Sequence, residues 1–341
     1  MLDSTQDVTT KPHISVLLPA RNAAATLAEA IEGVLAQEGA PPFELLLVDD
    51  GSTDATPQIA AAFAARDSRV RVVRGPGTGL VAALNFGLAQ TQAPLIARMD
   101  ADDLVHRSRL ALQTAWLEAH PRAGAVGSLI RMTPRPLTPG LSRLEDWLNG
   151  VVTEAQCRAA RFVESPLVHP SILFRRAALG VVGNYVDRGW AEDWDLLLRL
   201  AAAGFSLGKV PEVLLEWRDS PERLTRTGEV YRAESMIRLR ASHLAESVLR
   251  DRTFDIWGAG PTGKQLARAL EPLGKRPRRF IDIDPRKQQA RGKAVLQAHQ
   301  LGPPDGALVL CAVGSLGARE TIRDALEPLG YQEERDYLFT A

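Results

Sequence analysis

The sequence predicts an α/β fold in two parts, and three observations support this. Short runs rich in branched apolar residues alternate with Ala- and Leu-rich stretches, which is typical of a parallel sheet covered by helices. The same alternation restarts near residue 253, after a long amphipathic stretch. The chain has 341 residues, and single domains most often hold about 100 to 200 residues. We therefore expect a larger and a smaller α/β domain.

Four apolar runs mark the predicted strands of the first part: ISVLL, FELLLV, RVRVV and PLIARM. A helical pattern follows each of them. Ligands of parallel sheets bind at the carboxyl ends of the strands. The polar residues that follow these runs are therefore the candidate site residues.

The later elements have weaker patterns. We expect one helix from Leu144 to Ala160, a strand at SILF, a helix from Trp190 to Ala203 and strands at LGKV and VLLEW. An amphipathic helix over 228–250 would bury Val230, Ile237, Leu244 and Val248. The second part reads as strand FDIWG, a helix to Leu273, strands RRFIDID and ALVLCAV, a helix and a terminal strand. The predicted domains are 11–227 and 251–341, joined by helix 228–250.

Composition excludes several classes of protein. Lys and Arg total 41, as do Asp and Glu, so the formal charge is zero and no overall field recruits nucleic acid. Cys157 and Cys311 form no metal or disulfide pattern, and we expect both to be small buried apolar residues. The polar start MLDSTQDVTTKPH does not resemble a signal peptide, and no apolar run is long enough to span a membrane. We expect a cytoplasmic protein, with peripheral membrane contact allowed.

The segment VDDGSTDAT follows the second strand. Gly51 suits an unusual backbone angle, and Ser52 or Thr53 could cap a helix whose first turn contains Pro57. Capping does not explain Asp49 and Asp50. A carboxylate at this strand end could instead accept hydrogen bonds from a base or a ribose, and both interpretations stay open.

The segment ARMDADD follows the fourth strand and carries Asp100, Asp102 and Asp103. One of the last two acids could cap a helix, whose dipole tolerates negative charge. Alternatively, two carboxylates separated by one residue could bind one Mg²⁺ or Mn²⁺ together with a diphosphate. The tripeptide alone does not decide between them.

The segment RGWAEDWDLLLRL carries a third group of acids. Glu192 and Asp193 suit the first turn of a helix. A carboxylate beside Trp190 and Trp194 could also act as a base toward a sugar hydroxyl. Neither spacing nor pattern decides between these interpretations.

Taken together and in this order, SVLLPARNAAATLAEAIEGVLAQ, FELLLVDDGSTDAT, GTGLVAALNFGLAQTQAPLIARMDADD and WAEDWDLLLRLAAAG resemble the family 2 glycosyltransferases of the GT-A fold. The resemblance covers roughly residues 12 to 226. It implies a nucleotide-diphospho-sugar donor, a divalent ion, Mg²⁺ or Mn²⁺, and a glycan or lipid-linked acceptor. It also implies inverting transfer, as in bacterial envelope or exopolysaccharide synthesis.

The resemblance assigns roles by position. The implied donor-nucleotide contacts are Pro19, Arg21, Asn22, Asp50, Asn85 and Asp100. The implied sugar or acceptor contacts are Asp103, Trp190, Trp194 and His169. Asp102 is the implied metal ligand, and Asp193 is the implied general base with Glu192 as its neighbour. Asp219 stands where many relatives carry a His near the metal. Arg218, Arg223 or Arg226 could supply the positive charge that such a His would provide.

The C-terminal segment FDIWGAGPTGKQ fits a nucleotide-binding turn. Gly258, Gly260 and Gly263 match G-x-G-x-x-G, whereas Gln265 stands where a P-loop needs Ser or Thr. Asp282 follows about twenty residues later, where an acid would meet a ribose. This part resembles small Rossmann-like domains appended to some family 2 glycosyltransferases. A structural or regulatory module, a binder of NAD(P) or another nucleotide, and an oxidoreductase all stay open.

Overall fold

Strands and helices alternate along the chain, as the apolar runs predict. The computed structural model describes residues 11–221 and 223–341, so residues 1–10, most of the polar N-terminal stretch, lie outside it. The strands are β1 (Ile14–Ala20), β2 (Phe43–Asp49), β3 (Val70–Arg74), β4 (Leu95–Arg98), β5 (Leu104–Val105), β6 (Ala123–Thr133), β7 (Leu173–Arg175), β8 (Ser206–Arg218), β9 (Phe254–Trp257), β10 (Phe280–Asp282), β11 (Gln289–Ala290), β12 (Lys293–Gln297), β13 (Leu308–Cys311) and β14 (Tyr337–Phe339).

The helices cover or connect these strands. They are α1 (Leu27–Leu35), α2 (Thr56–Ala64), α3 (Leu80–Ala89), α4 (Arg109–Ala119), α5 (Pro139–Gly150), α6 (Glu154–Ala160), α7 (Arg176–Val182), α8 (Glu192–Ala202), α9 (Leu224–Thr227), α10 (Ala233–Glu246), α11 (Pro261–Leu270) and α12 (Ala318–Leu326). Within 11–221 and 223–341, none of them has the length and apolarity needed to cross a membrane.

The larger sheet lies in the first of two compact units, which comprises 11–154, 167–186 and 203–220 of the described residues. Its strand order is β3-β2-β1-β4-β7-β6-β8-β5. Strands β1 to β4 are parallel, as predicted, whereas β7 runs antiparallel to both β4 and β6. All residues of β1 are buried, which explains why this strand is a continuous apolar run.

The second unit comprises 155–166, 187–202, 221 and 223–341 of the described residues. Its sheet has the order β11-β12-β10-β9-β13-β14, in which all strands except β11 are parallel. Counted along the chain, the five parallel strands follow the order 3-2-1-4-5. The core of this unit joins Trp194 and Leu198 of α8 to Leu239 of α10 and Ile256 of β9. Each predicted domain is one continuous stretch of the chain, whereas each compact unit combines segments that lie far apart in the sequence.

Several predicted elements are wrong in detail. The single helix over 144–160 is two helices, because the chain is extended at Val151. The strands at LGKV and VLLEW are one strand, β8, whose pairing with β6 contains irregularities. Strand β6 has no counterpart in the prediction. Its small residues and glycines give no strong apolar run, although most of the strand is buried.

The long amphipathic helix is shorter than predicted. Helix α10 covers Ala233–Glu246 instead of 228–250, and its buried apolar residues are Leu239, Ala241 and Leu244. Of the predicted stripe, only Leu244 is fully buried. The cysteine prediction is confirmed, since Cys157 and Cys311 are both free and buried.

Candidate active site

The candidate site of the first unit lies at one edge of its sheet. Parallel pairing aligns Ala20 with Asp49 and Leu17 with Arg98. The segments that follow β1, β2 and β4 therefore leave the sheet at the same edge. Pro19 is buried within β1, and Arg21 follows it in an exposed position.

Asn22 ties the segment after β1 to the segment after β2. It lies in the left-handed region, with φ of 52°. Its backbone N–H donates to Ser52 Oγ at 3.0 Å, and its Oδ1 accepts from the Thr53 N–H at 2.8 Å. Asn22 thus shapes this edge of the sheet, and its contact with a nucleotide stays a prediction.

Asp50 organises the glycine loop that precedes α3. Its carboxylate is buried, with Oδ1 accepting from Gly77 N–H at 2.7 Å and Oδ2 from Gly79 N–H at 2.9 Å. Both glycines have positive φ, 71° and 111°, a conformation that other residues rarely adopt. The residues next to Asp50 in the sequence do not reveal this partner loop. A contact between Asp50 and the base of a nucleotide remains a prediction.

Asn85 and His169 both contact Tyr185. The Asn85 amide donates to the Tyr185 carbonyl at 2.9 Å, and its Oδ1 accepts from the Tyr185 N–H at 3.2 Å. The Tyr185 hydroxyl lies 2.7 Å from His169 Nε2. Burial, helped by the positive charge of Arg98, holds the pKa of His169 well below its usual value. His169 is therefore neutral at physiological pH.

The three acids after β4 form one cluster. Asp100, Asp102 and Asp103 each offer a carboxylate oxygen within 4.8 Å of the others. Asp103 is 1% exposed, whereas the other two are half-buried. The helix-cap interpretation is wrong, because strand β5 follows this turn and the next helix begins only at Arg109.

Protein groups pair with Asp100 and with Asp103. The guanidinium of Arg98, itself 2% exposed, pairs with Asp100 Oδ1. Asp103 Oδ1 accepts from the backbone N–H of Arg218 at 2.8 Å. The Arg218 side chain pairs with Glu29 of α1. The repulsion expected between the three acids is thus reduced within the protein.

A second buried arginine lies beneath this cluster. Arg109 is 1% exposed and donates to the Arg98 carbonyl at 2.8 Å and to Gln113 Oε1 at 3.0 Å. Burial and the charge of Arg98 lower its pKa to about 9, while Asp103 acts in the opposite direction. Neither arginine was predicted from the sequence as part of the site. For Arg98 the available signal was a charged residue inside the apolar run PLIARM.

The donor set of this cluster suits a hard divalent cation. Mg²⁺ and Mn²⁺ prefer carboxylate oxygens, and Mg²⁺ is usually bound through only one or two of them. The three carboxylate oxygens, which lie within 4.8 Å of one another, can supply one or two such ligands. Asp102 belongs to this set of half-buried and buried carboxylates, and its role as the principal ligand stays a prediction.

The first turn of α8, in the second unit, carries Glu192, Asp193 and Asp195. Glu192 is buried, and its Oε2 accepts from the Tyr231 hydroxyl at 3.0 Å. Asp193 is half-buried, and its Oδ1 accepts from the Trp194 N–H at 2.7 Å. The sequence prediction that Glu192 and Asp193 begin a helix is confirmed.

The two tryptophans of this segment differ in exposure. Trp194 is 0% exposed, its indole N–H donates to the Arg161 carbonyl at 2.8 Å, and Arg240 stacks over its ring. Such a buried ring offers no face to a sugar, so its position does not support the implied sugar contact by Trp194. Trp190 is half-buried and donates to Asp195 Oδ1 at 3.1 Å.

The C-terminal glycine turn packs closely against its own strand. A Cβ atom at Gly263 would lie 1.9 Å from the Gly258 carbonyl oxygen, whereas one at Gly260 would meet nothing within 4 Å. Asp282 accepts from the N–H groups of Ala259 at 2.8 Å and Asp284 at 2.9 Å, and from Lys287 Nζ at 2.9 Å. These contacts give Asp282 a role in holding the turn, and a ribose contact stays a prediction.

Comparison with known proteins identifies the family of this chain. The model of the family Glycosyl transferase family 2 matches residues 15–183. EpsE of Bacillus subtilis, which is named as a glycosyltransferase, is 32% identical over 242 residues, or 66% of this chain and 80% of EpsE. The succinoglycan biosynthesis protein ExoU of Rhizobium meliloti is 32% identical to this chain. The match covers 56% of this chain and 57% of ExoU.

Two solved structures resemble the chain in fold. TarS residues 1–349 of S. aureus, in complex with UDP-GlcNAc, has a TM-score of 0.57 at 18% identity, and the match covers 76% of this chain and 72% of that fragment. The mannosyltransferase PcManGT of Pyrobaculum calidifontis, in complex with GDP-Man and Mn²⁺, has a TM-score of 0.52 at 23% identity. The match covers 78% of this chain and 70% of PcManGT.

Proposed function

Because the chain belongs to glycosyl transferase family 2, we propose that it moves a sugar from a nucleotide-diphospho-sugar to a hydroxyl group of a glycan or lipid-linked acceptor. The chain is a transferase of the GT-A fold. The proposed transfer is metal-dependent and inverts the anomeric carbon. The observation that carries the proposal is the clustering of Asp100, Asp102 and Asp103 at the carboxyl edge of the parallel strands.

In this proposal Asp102 is the principal ligand of a Mg²⁺ or Mn²⁺ ion, with Asp100 and Asp103 beside it. The ion supplies Lewis-acid stabilisation of the charge that develops on a departing diphosphate. Arg98 holds Asp100 in place, and the Arg218 N–H holds Asp103. Asp50 orders the glycine loop and contributes to nucleotide binding together with Arg21 and the segment around Pro19.

Asp193 is the proposed general base. It takes the proton of the acceptor hydroxyl as that oxygen attacks the anomeric carbon, so the reaction is a single displacement without a covalent intermediate. Its half-buried position at the start of α8 supports this role. Trp190 is the proposed sugar-contacting aromatic residue, since its ring is partly exposed.

Polysaccharide synthesis is the proposed pathway class. ExoU is named as a succinoglycan biosynthesis protein and AmsE of Erwinia amylovora as an amylovoran biosynthesis glycosyltransferase. The E. coli relative, 26% identical over 67% of this chain, uses a UDP-Gal donor by name. No redox chemistry is proposed for the second unit. Its glycine turn remains a candidate nucleotide contact.

The test combines ligand binding with donor turnover. Thermal unfolding is measured with UDP, GDP, UDP-GlcNAc, UDP-Gal and GDP-Man, with and without Mn²⁺, on the wild type, Asp102→Asn and the exposed control Glu118→Gln. A ligand at one hundred times its Kd stabilises by about 2.7 kcal/mol. We expect this shift to need Mn²⁺ in the wild type and the control, and to be lost in Asp102→Asn.

Release of UDP or GDP from the stabilising sugar donor, with water receiving the sugar in place of the acceptor hydroxyl, tests the chemistry. General-base catalysis contributes about 10²- to 10⁴-fold, so Asp193→Asn should lose that much turnover while it still binds the donor. A metal-independent shift that survives Asp102→Asn would refute the donor site. Binding that gives no turnover with water or with added glycan acceptors would favour an inactive nucleotide-binding regulator.

A further inference from the structure

Beyond the proposed catalytic residues, the first turn of α8 is held by side chains from the chain segment that follows it. Three carboxylates occur here within four residues, Glu192, Asp193 and Asp195. The Tyr231 hydroxyl donates to Glu192 Oε2 at 3.0 Å, and the His243 imidazole lies 2.9 Å from Asp195 Oδ1. Both partners belong to the second unit, as α8 does.

Asp195 is the centre of this network. It is 0% exposed, and its Oδ1 accepts from the Trp190 indole as well as from His243, while Oδ2 accepts from Arg199 Nε at 2.7 Å. Although burial opposes ionisation, the hydrogen bonds with His243 and Arg199 lower the pKa of Asp195 to about 2. An ionised carboxylate only accepts, so His243 Nε2 must carry the proton in this pair.

Residues of this network precede and follow the proposed base along the chain. Asp193 lies between Glu192, which contacts Tyr231, and Asp195, which contacts His243. Trp190 is fixed through the same Asp195 carboxylate. A rotation of the first turn would therefore have to break hydrogen bonds to two different side chains outside the helix.

We propose that Tyr231 and His243 are positioning residues of the transferase, which hold Asp193 and Trp190 through Glu192 and Asp195. This inference rests on the proposed function, in which Asp193 is the general base. It extends the catalytic apparatus to segment 229–246, which lies beyond the residues 15–183 that the family model matches. A displacement of about 1 Å at a reacting group can lower turnover about 100-fold, so loss of either contact should act mainly on kcat.

Four variants test the role. Tyr231→Phe removes only the hydroxyl, and His243→Leu removes the ring donor while it keeps an apolar side chain. His243→Gln restores an N–H donor of similar reach and is the rescue variant. Ser242→Ala is the matched control, because Ser242 lies next to His243 on α10 and donates only to Glu246 of the same helix, at 2.9 Å.

The assay measures UDP or GDP release from UDP-GlcNAc, UDP-Gal and GDP-Man with Mn²⁺, together with thermal unfolding. We expect Tyr231→Phe and His243→Leu to lower kcat about 10- to 100-fold with donor KM within about 2-fold. His243→Gln should recover most of the loss, and Ser242→Ala should match the wild type.

The outcomes separate this inference from the proposed function. Release by the wild type that is lost in Asp193→Asn but unchanged in folded Tyr231→Phe and His243→Leu would overturn the positioning role alone. A His243→Gln variant as impaired as His243→Leu would also overturn it for His243. Absence of both donor-induced stabilisation and release by the wild type with every donor would overturn the proposed function and this inference together.

Discussion

Asp100–Asp103 and Glu192–Asp195 each carry three carboxylates within four residues, but the fold stabilises them in different ways. In the first segment the partners include a buried guanidinium and a backbone N–H, and the carboxylate oxygens converge within 4.8 Å. In the second, the Tyr231 hydroxyl donates to Glu192, while imidazole, indole and guanidinium donors bind Asp195. Convergent carboxylates suit a cation, whereas separately bound ones suit proton transfer and orientation.

The largest expected effect comes from the buried arginine beneath the first segment. Arg109→Met leaves the carbonyl of Arg98 and the amide of Gln113 without their donor. Each buried group left unsatisfied costs about 1–3 kcal/mol, so we expect the free energy of unfolding to fall by about 3 kcal/mol or more. Urea denaturation measures this, and the exposed Arg107→Met, 65% exposed at its side chain, is the control. A loss below about 1 kcal/mol would contradict the structural role of Arg109.

An intermediate effect is expected at the second segment. Asp195→Asn removes the charge that accepts from His243, Trp190 and Arg199, and hydrogen bonds to charged groups contribute about 1.5–3 kcal/mol. The pKa of Asp195 is about 2 in the folded protein, below its ordinary value of 3.8. The stabilisation is therefore present above about pH 4 and is lost as the pH falls toward 2.

Urea denaturation between pH 6 and pH 3 checks this sign. We expect the wild type to lose stability more steeply than Asp195→Asn over the acidic part of this range, because only the wild type must protonate this carboxylate on unfolding. Parallel curves for the two proteins would show that Asp195 is not preferentially ionised in the folded state.

The smallest effect is expected at Asp102. Its side chain is half-buried, and replacing it removes one of three neighbouring negative charges. In EDTA, Asp102→Asn should therefore change the free energy of unfolding by no more than about 0.5 kcal/mol. With Mn²⁺ only the wild type should gain stability. A strong destabilisation in EDTA would mean that Asp102 has a structural role instead of a ligand role.

The sequence predicted the parts of the fold that local pattern encodes. Strands β1, β2, β3 and β4 were predicted from apolar runs, and the acids after β4 from their place at a strand end. Strand β6 was missed because AGAVGSLIRMT mixes small and charged residues. Its burial depends on β7 and β8, which pair with it from distant parts of the chain.

The order of residues along the chain places particular residue types at the ends of strands and at the start of α8. The three-dimensional fold selects the groups that compensate their charges. Asp103 meets the N–H of Arg218, 115 residues away, and Asp195 meets His243, 48 residues away. Periodicity reports neighbours within a few residues along a helix or strand, whereas the energy of a charge depends on the distance and burial of its partners in space. The separation of the two acidic segments into a convergent and a separately bound group is therefore a property of the fold.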